Sequence, residues 1–545
     1  YIPPTNETEE KLAGIWQNFF GFEKIGIQDD FFELGGDSLK IIMLVSMIQE
    51  ALDTRVSIPE FFDRPTIKEL SQYIREIPTD TAHISLEPVE KREYYELSSA
   101  QKRMFIFYQL NNDSLSYNTP LILNLYQEID REKMLHVFKQ LIKRHETLRT
   151  SFIILPEGPV QIVHDDVNIE IKYYQKSAEE SVMGIAAGFI KPFDLAKAPV
   201  MRVGLIKISK ASYVLIVDMY HIISDAFSLN VLIYDLMALY EGRELTPMEI
   251  QYKDFSHWQK QLYQSGIMDK QRKFWLVSFA NGEIPKINIP LDFPRPPVRD
   301  IDKGDSLIFE LDAALREKLY LVLNQTGTTL PMILFAAYFI LLYIYTRQED
   351  IVVGMLGSGR SHANLTNIIG MFVNTLPIRS FPQKNKTFID FLKEIKRLLL
   401  NAYENQDYPF DELIVDLGLQ GSQNRNPLFD VVFAYNTFDT RRTKASKEVP
   451  DTPGQKMPSY EPPVKFAKFD LYLQVNEMGD TLEVLLRYST QIFKPSTIEK
   501  IKKYYIEILE QVLDNNTIKL KDIVFSHDLL KSKSRIDNDD NDFNI

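Results

Sequence analysis

No cysteine occurs in this chain of 545 residues. Disulfides, thiolate metal sites and a cysteine nucleophile within the polypeptide are therefore excluded, and the composition is compatible with a reducing, cytoplasmic setting. Histidine is scarce, at 8 residues, and His83, His136, His164, His257, His362 and His527 show no metal-ligand spacing, so no metal site is expected. Positive charge is in deficit: 62 Lys and Arg against 75 Asp and Glu leave a net charge of −13. That balance argues against a nucleic-acid binder working through bulk electrostatics. No basic-then-apolar signal opens the chain. Nor does any apolar run reach the roughly 20 residues that a bilayer requires. The longest, Leu330 to Tyr345, contains Pro331 and reads as a buried core helix. Neither nucleic acid nor a membrane is an expected partner.

What is present is ordinary globular composition, with 45% hydrophobic and 25% charged residues, at a length that calls for two or three cores. Residues 1–77 carry helical patterns over Glu7–Phe20, Ser38–Leu52 and Thr66–Ile77, with a short helical turn near Ile58–Phe62. A small all-α four-helix bundle is predicted there. From 78 to 95 the chain is polar, charged and aperiodic, and reads as a linker. About eighteen flexible residues would have an r.m.s. span of roughly 20–25 Å. Beyond it, helical patterns such as Arg131–Arg144 alternate with strand-like runs such as Ser212–Met219, which predicts an α/β region. The Pro-rich stretch 284–298 divides that region into lobes over 96–283 and 299–531, and residues 532–545 form a polar Asp/Asn-rich tail.

Chemistry concentrates in two places. The first is Asp30-Phe31-Phe32-Glu33-Leu34-Gly35-Gly36-Asp37-Ser38-Leu39, where a glycine turn leads to a serine that opens an apolar helix. Read on spacing alone, Ser38 is a helix N-cap. The whole run, with Asp37 and Leu39 flanking the serine, resembles the attachment site of a peptidyl carrier protein. That resemblance implies a 4'-phosphopantetheine arm esterified to Ser38, and a phosphopantetheinyl transferase as the partner that installs it. A hydroxyl on a rigid turn, with its anionic adduct near a helix N-terminus, suits that task.

The second is a buried strand, Ser212 to Met219, running into Tyr220-His221-Ile222-Ile223-Ser224-Asp225-Ala226. By itself His221 is better explained as a satisfied core histidine. An ordered set of segments alters that reading. Ser98-Ser99-Ala100-Gln101-Lys102-Arg103-Met104, Arg144-His145-Glu146-Thr147-Leu148-Arg149, Tyr252-Lys253-Asp254-Phe255-Ser256-His257-Trp258, Ile369-Gly370-Met371-Phe372-Val373-Asn374, Asn405-Gln406-Asp407-Tyr408-Pro409-Phe410 and Arg425-Asn426-Pro427-Leu428-Phe429 follow one another along the chain. Together they resemble the condensation domains of nonribosomal peptide synthetases, the multidomain enzymes of antibiotic biosynthesis. The resemblance implies two chloramphenicol-acetyltransferase-like lobes with the active site in a tunnel between them. His221 is the implied catalytic residue, as base or as hydrogen-bond partner of the acceptor amine. Asp225 is implied as structural support, with Arg144 or Arg149 its natural partner. Asn374 is implied as a supporting residue reaching the tunnel from the second lobe, and Arg103, Trp258 and His145 as scaffold.

The third motif of that family is His-His-x-x-x-Asp-Gly, whereas this chain has Tyr220 and Ala226 in place of its first histidine and its glycine. Strand alternation points Tyr220 into the lobe, opposite to His221. A glycine there with positive φ would make Ala226 cost on the order of 1 kcal/mol. The implied activity is peptide-bond formation between a donor on Ser38 and an amine on a downstream acceptor carrier domain, with adjoining adenylation domains supplying both. Two alternatives follow from the altered motif. One is a domain inactive in condensation that recruits a partner; the other is specialised cyclisation, release or modification chemistry in the same tunnel. Asp37, where histidine is common, resembles carriers that serve epimerisation domains. No residue here names the donor or acceptor amino acid.

Overall fold

The computed structural model describes residues 1–77, 84–177, 179–280, 282–438 and 465–525, with the side chains of Ser38, Leu39 and Phe438 outside that description. The four N-terminal helices start at side-chain caps, with Asp37 accepting the Lys40 N–H at the head of the second. Asn6 caps α1 (Glu7–Phe20), Ser57 caps α3 (Ile58–Asp63) and Thr66 caps α4 (Ile67–Glu76), each by accepting a first-turn N–H. With α2 (Ser38–Leu52) they enclose Trp16, Phe31 and Phe61, all fully buried. Gly36 is required here: a Cβ at that position would lie 2.2 Å from the Phe31 ring.

The first lobe is built on a four-stranded sheet. It contains β1 (Tyr95–Glu96), α5 (Ser99–Leu110), β2 (Asn118–Leu125), α6 (Arg131–Arg144), β3 (Thr150–Leu155), β4 (Gly158–Val163) and β5 (Ile171–Gln175). It continues through α7 (Val182–Phe189), β6 (Met201–Ser209), β7 (Ser212–Tyr220), α8 (Ala226–Tyr240) and α9 (Tyr252–Gln264), after which comes α10 (Asp269–Phe279). The large sheet runs β2-β7-β6-β5, and β1-β4-β3 form a smaller one. The second lobe comprises β8 (Gly304–Glu310), α11 (Ala313–Thr326), α12 (Leu330–Thr346), β9 (Ile351–Gly357), β10 (Asn374–Ser380), α13 (Phe388–Glu404), α14 (Phe410–Asp416), β11 (Val431–Phe438), β12 (Leu471–Met478), β13 (Thr481–Ser489) and α15 (Pro495–Asp514). Its sheet order is β10-β9-β11-β12-β13-β8. Helix α12 is buried along most of its length at the centre of this lobe, as its continuous apolar run predicts. Among the described residues no single helix is long and apolar enough to cross a membrane.

The segment between β9 and β10 joins the lobes. Ile369 and Met371 insert into the core of the first lobe, and the Tyr252 hydroxyl donates to the Met371 carbonyl. Between them Gly370 passes so close that a Cβ would sit 1.9 Å from the Tyr252 ring. Glycine is the residue that permits this crossing.

Two sequence expectations need correction. Of the linker read over 78–95, residues 84–94 lie against the first lobe. Leu86 is buried, the Ile84 carbonyl accepts Trp258 Nε1–H at 2.7 Å, and the Val89 N–H donates to Asp254 Oδ1 at 2.8 Å. Tyr95 already belongs to β1. The free span of eighteen residues is therefore absent, and the chain from Ile77 to Ile84 can reach at most about 25 Å. Lone apolar residues in a charged stretch carry no periodicity, so their burial leaves no mark on the pattern. The second correction concerns the lobe division at 284. Helix α10 precedes it, yet Trp275 and Phe279 pack in the core of the second lobe, and Trp275 Nε1–H donates to the Asn405 carbonyl at 2.8 Å. Residues 78–83 and the tail 532–545 lie outside the described residues.

The bundle itself sits on the second lobe. Glu404, at the end of α13, accepts the Ile58 N–H at 2.8 Å and pairs with Arg55 at 3.1 Å. The Ala363 N–H donates to Ser46 Oγ at 3.2 Å, and His362 Nε2 lies 2.8 Å from Glu50.

Candidate active site

A cavity of about 1320 Å³ is bordered by all three units. The bundle contributes Phe32, Gly35, Gly36, Asp37 and Lys40; the first lobe contributes Arg103, Tyr117 and His221; β11, β12 and β13 supply much of the opposite wall.

His221 is placed by the end of β7. Residues alternate across a strand, so Tyr220 turns into the first lobe, buried against Tyr108, Tyr117 and Phe193, while His221 faces the cavity. The backbone N–H of His221 donates to the Tyr117 carbonyl at 2.7 Å, and its Nδ1 lies 2.6 Å from the Ser224 carbonyl. A carbonyl only accepts, so Nδ1 carries the proton and Nε2 keeps its lone pair. Burial, aided by the nearby Lys468 ammonium, holds the His221 imidazole down to about 4. The ring is thus neutral at physiological pH, a fixed hydrogen-bond acceptor on the tunnel wall.

Asp225 braces this turn. Its Oδ1 accepts the Ser228 N–H at 2.7 Å, capping α8, and its Oδ2 accepts the Phe372 N–H at 3.1 Å. Its cationic partner is Arg360, whose Nη2 lies 3.1 Å away with both side chains fully buried. The expected partners are engaged elsewhere: Arg144 pairs with Asp235, and Arg149 with Glu146. Arg360 stands outside the motifs, in the loop after β9, and only folding brings it to Asp225. Because Arg360 comes from the second lobe, the ion pair clamps the lobes together behind His221.

Ala226 is the first residue of α8, exposed on the cavity wall, and is not among the described residues with positive φ. The strain considered for this substitution is absent. Asn374 is placed differently from expectation. Its Nδ2 donates to the carbonyls of Gln406 and Tyr408, both at 2.8 Å, and its Oδ1 accepts the Phe410 N–H at 3.1 Å. Its neighbours Val373 and Thr375 line the large cavity, whereas Asn374 borders a separate small cleft with Trp258 and Asp411. The amide is used up in holding the 406–410 loop. Arg103 does reach the tunnel and pairs with Asp411 at 3.3 Å. His145, buried and hydrogen-bonded to Asp235 at 2.8 Å, is scaffold.

The backbone of Ser38 begins α2, between Asp37 and Lys40, which both line the cavity. Asp37 Oδ1 accepts the Lys40 N–H at 2.9 Å, and Lys40 Nζ donates to the Gly35 carbonyl at 2.7 Å. A pantetheine arm attached in this turn fits the structure, because the turn opens on the same cavity as His221. Residue reasoning missed Lys468 and Arg487, which also line it. Lys468 lies in the short approach to β12, two residues before Asp470, and Arg487 lies near the end of β13, where an arginine between Leu486 and Tyr488 reads as solvent-facing.

Comparison with known proteins agrees with this geometry. The Condensation domain family matches residues 91–533, and the Phosphopantetheine attachment site family matches residues 10–74. Tyrocidine synthase 3 of Brevibacillus parabrevis is 42% identical over 537 residues, and bacitracin synthase 3 of Bacillus licheniformis is 41% identical over 512. Those alignments cover 98% and 94% of this chain but 8% of each relative, so the chain spans less than a tenth of their length. In fold it resembles the X-domain from teicoplanin biosynthesis, solved in complex with OxyB (TM-score 0.71, 23% identity, 82% of this chain and 99% of that one). It also resembles the four-domain nonribosomal peptide synthetase AB3403 (TM-score 0.71, 20% identity, 80% and 34%). With a helical phosphopantetheine-attachment domain ahead of two chloramphenicol-acetyltransferase-like lobes, the chain belongs to the condensation-domain family of nonribosomal peptide synthetases.

Proposed function

We propose that this chain joins a donor acyl group carried on Ser38 to an acceptor amine, forming a peptide bond. The observation that supports it is the shared cavity: the turn containing Ser38 and the acceptor nitrogen of His221 open on one space. Phosphopantetheine on Ser38 would supply a thioester, an acyl group activated toward amines. His221 Nε2 accepts a hydrogen bond from the incoming amine and orients its lone pair toward the acyl carbon. With its conjugate acid held near 4, the ring is a weak base, so positioning is its main contribution: as the C–N bond forms the thioester C–S bond breaks, and the proton lost from nitrogen leaves with the pantetheine thiol. Tyr117 and Ser224 fix the ring, and the Asp225–Arg360 pair fixes the turn. A downstream acceptor carrier, adjoining adenylation domains and a phosphopantetheinyl transferase are the partners this reaction requires.

The reading is tested by single turnover. The full chain is loaded on Ser38 with a panel of aminoacyl-pantetheines and mixed with acceptor-loaded carrier or small amines, and products are followed by mass spectrometry. Wild type should transfer, and His221→Ala should be slower by about 10²–10⁴. Loading without transfer across the panel would favour recruitment of a partner instead. Against that second reading stand the unstrained backbone at Ala226 and the burial of Tyr220 away from the tunnel.

A further inference from the structure

Among the described residues six cations line the tunnel, and four are neutralised within the protein. Lys40 pairs with Asp37, Arg103 with Asp411, Arg299 with Asp430 and Asp470, and Arg425 with Asp430. Lys468 and Arg487 differ. Among the described residues neither has a carboxylate within ion-pair distance, and each lies instead against aromatic faces. Lys468 Nζ is 3.5 Å from the Tyr117 ring centroid and 5.1 Å from that of Phe466, and Arg487 Cζ is 4.3 Å from the Phe466 centroid. The tunnel's own acids are committed elsewhere. Asp225 holds Arg360, Glu477 accepts the Tyr435 hydroxyl, Glu483 accepts from Asn476, and Asp302 accepts from Ser114.

Two like charges sharing one ring away from bulk water repel each other and lose hydration, and burial drives the Lys468 ammonium well down. Aromatic faces recover only a part of that cost. An anion entering the tunnel would complete the site. Its place is also defined, because the Tyr117 ring that Lys468 covers lies 6.3 Å from the His221 ring. The anion would therefore sit beside the reacting atoms rather than at a mouth of the tunnel, where an arm's phosphodiester belongs.

We propose that Lys468 and Arg487 form a carboxylate-binding subsite that selects a substrate with an acidic side chain, of the aspartyl or glutamyl class. This rests on the function proposed above, and the test keeps the two separate. In single turnover of the full chain, glutamyl and aspartyl substrates are compared with their glutaminyl and asparaginyl isosteres, first as donors on Ser38 and then as acceptors. The wild type should prefer the acid by at least about tenfold in one arm, and that arm identifies the source of the carboxylate. Arg487→Gln should bring the acid-to-amide ratio to near unity, and Arg487→Lys should retain part of it. Binding is measured independently of turnover by titrating the full chain with N-acetylglutamate α-amide and with N-acetylglutamine α-amide. The acid should bind at least tenfold tighter to wild type, with that advantage lost in Arg487→Gln. Transfer of neutral substrates with equal rates and equal binding for acid and amide would overturn the subsite while leaving condensation intact. Absence of transfer with retained selective binding of the acid would overturn condensation and leave the subsite standing.

Discussion

Removal of Arg360 would test whether one buried ion pair clamps the lobes behind His221. The guanidinium is fully buried, 3.1 Å from Asp225, with Nη1 donating to the carbonyl of Ile368 at 2.8 Å and Nη2 to Ser228 Oγ at 2.9 Å. In Arg360→Met these bonds vanish, and Asp225 retains a buried charge held only by Ser228 and Phe372. Breaking one side of such a pair costs about 3–5 kcal/mol. Asp225→Asn should cost less, about 1–3 kcal/mol, because the amide oxygen still caps α8 while its N–H2 meets other donors. With both replaced, no buried charge is left without its partner. The double variant should therefore lose clearly less than the sum of the singles, with a coupling of about 2 kcal/mol or more. Hydrogen exchange of the amides of Ser228, Gly370 and Phe372, measured on the full chain, reads the local opening free energy directly. Single losses below about 1 kcal/mol, or strict additivity, would refute the clamp.

Other outcomes follow from the same structure. Since the folded-state His221 sits near 4 and an unfolded histidine near 6.5, the unfolded chain takes up a proton that the folded chain refuses. Its contribution to stability should be complete above pH 6.5 and decline between there and 4, with buried His145 acting in the same direction. Denaturant titrations at stepped pH check the sign, and equal or greater stability at pH 5 would contradict it. With an acceptor amine of low basicity, the transfer rate should be flat from pH 5.5 to 8, and an inflection at 6.5 would mean that the ring is not held neutral. Gly370→Ala forces a methyl into the Tyr252 ring and should cost roughly 1–3 kcal/mol or more, visible as a lower Tm of the full chain. Glu404→Ala removes two bonds to the carrier. Partly exposed contacts of this kind are worth about 1 kcal/mol, so exchange of the α3 amides should accelerate roughly fivefold.

Much of this protein is written locally. The helices behind the caps at Asn6, Ser57 and Thr66, the alternation along β7 and the uninterrupted apolar run of α12 each depend on neighbours within a few residues, and the helices and the strand appear where their patterns place them. The positions of Ser38 at the head of a helix and of His221 at a strand end were legible for a related reason: a glycine turn and a strand end are local devices. What could not be read depends on contacts between distant segments. The partner of Asp225 is Arg360, 135 residues away and outside every motif, and two nearer arginines had the same chemistry to offer. Asn374 belongs to a recognisable motif, yet its amide is spent on the backbone of 406–410, an accounting visible only when hydrogen bonds are traced in space. Residues 84–94 read as free because single apolar side chains have no period, and α10 read with the first lobe because chain order is silent on which core a helix joins. Lys468 and Arg487 required the most tertiary information. Their significance lies in what does not surround them, and the absence of a counter-charge among the described residues is a property of a folded cavity rather than of any stretch of sequence.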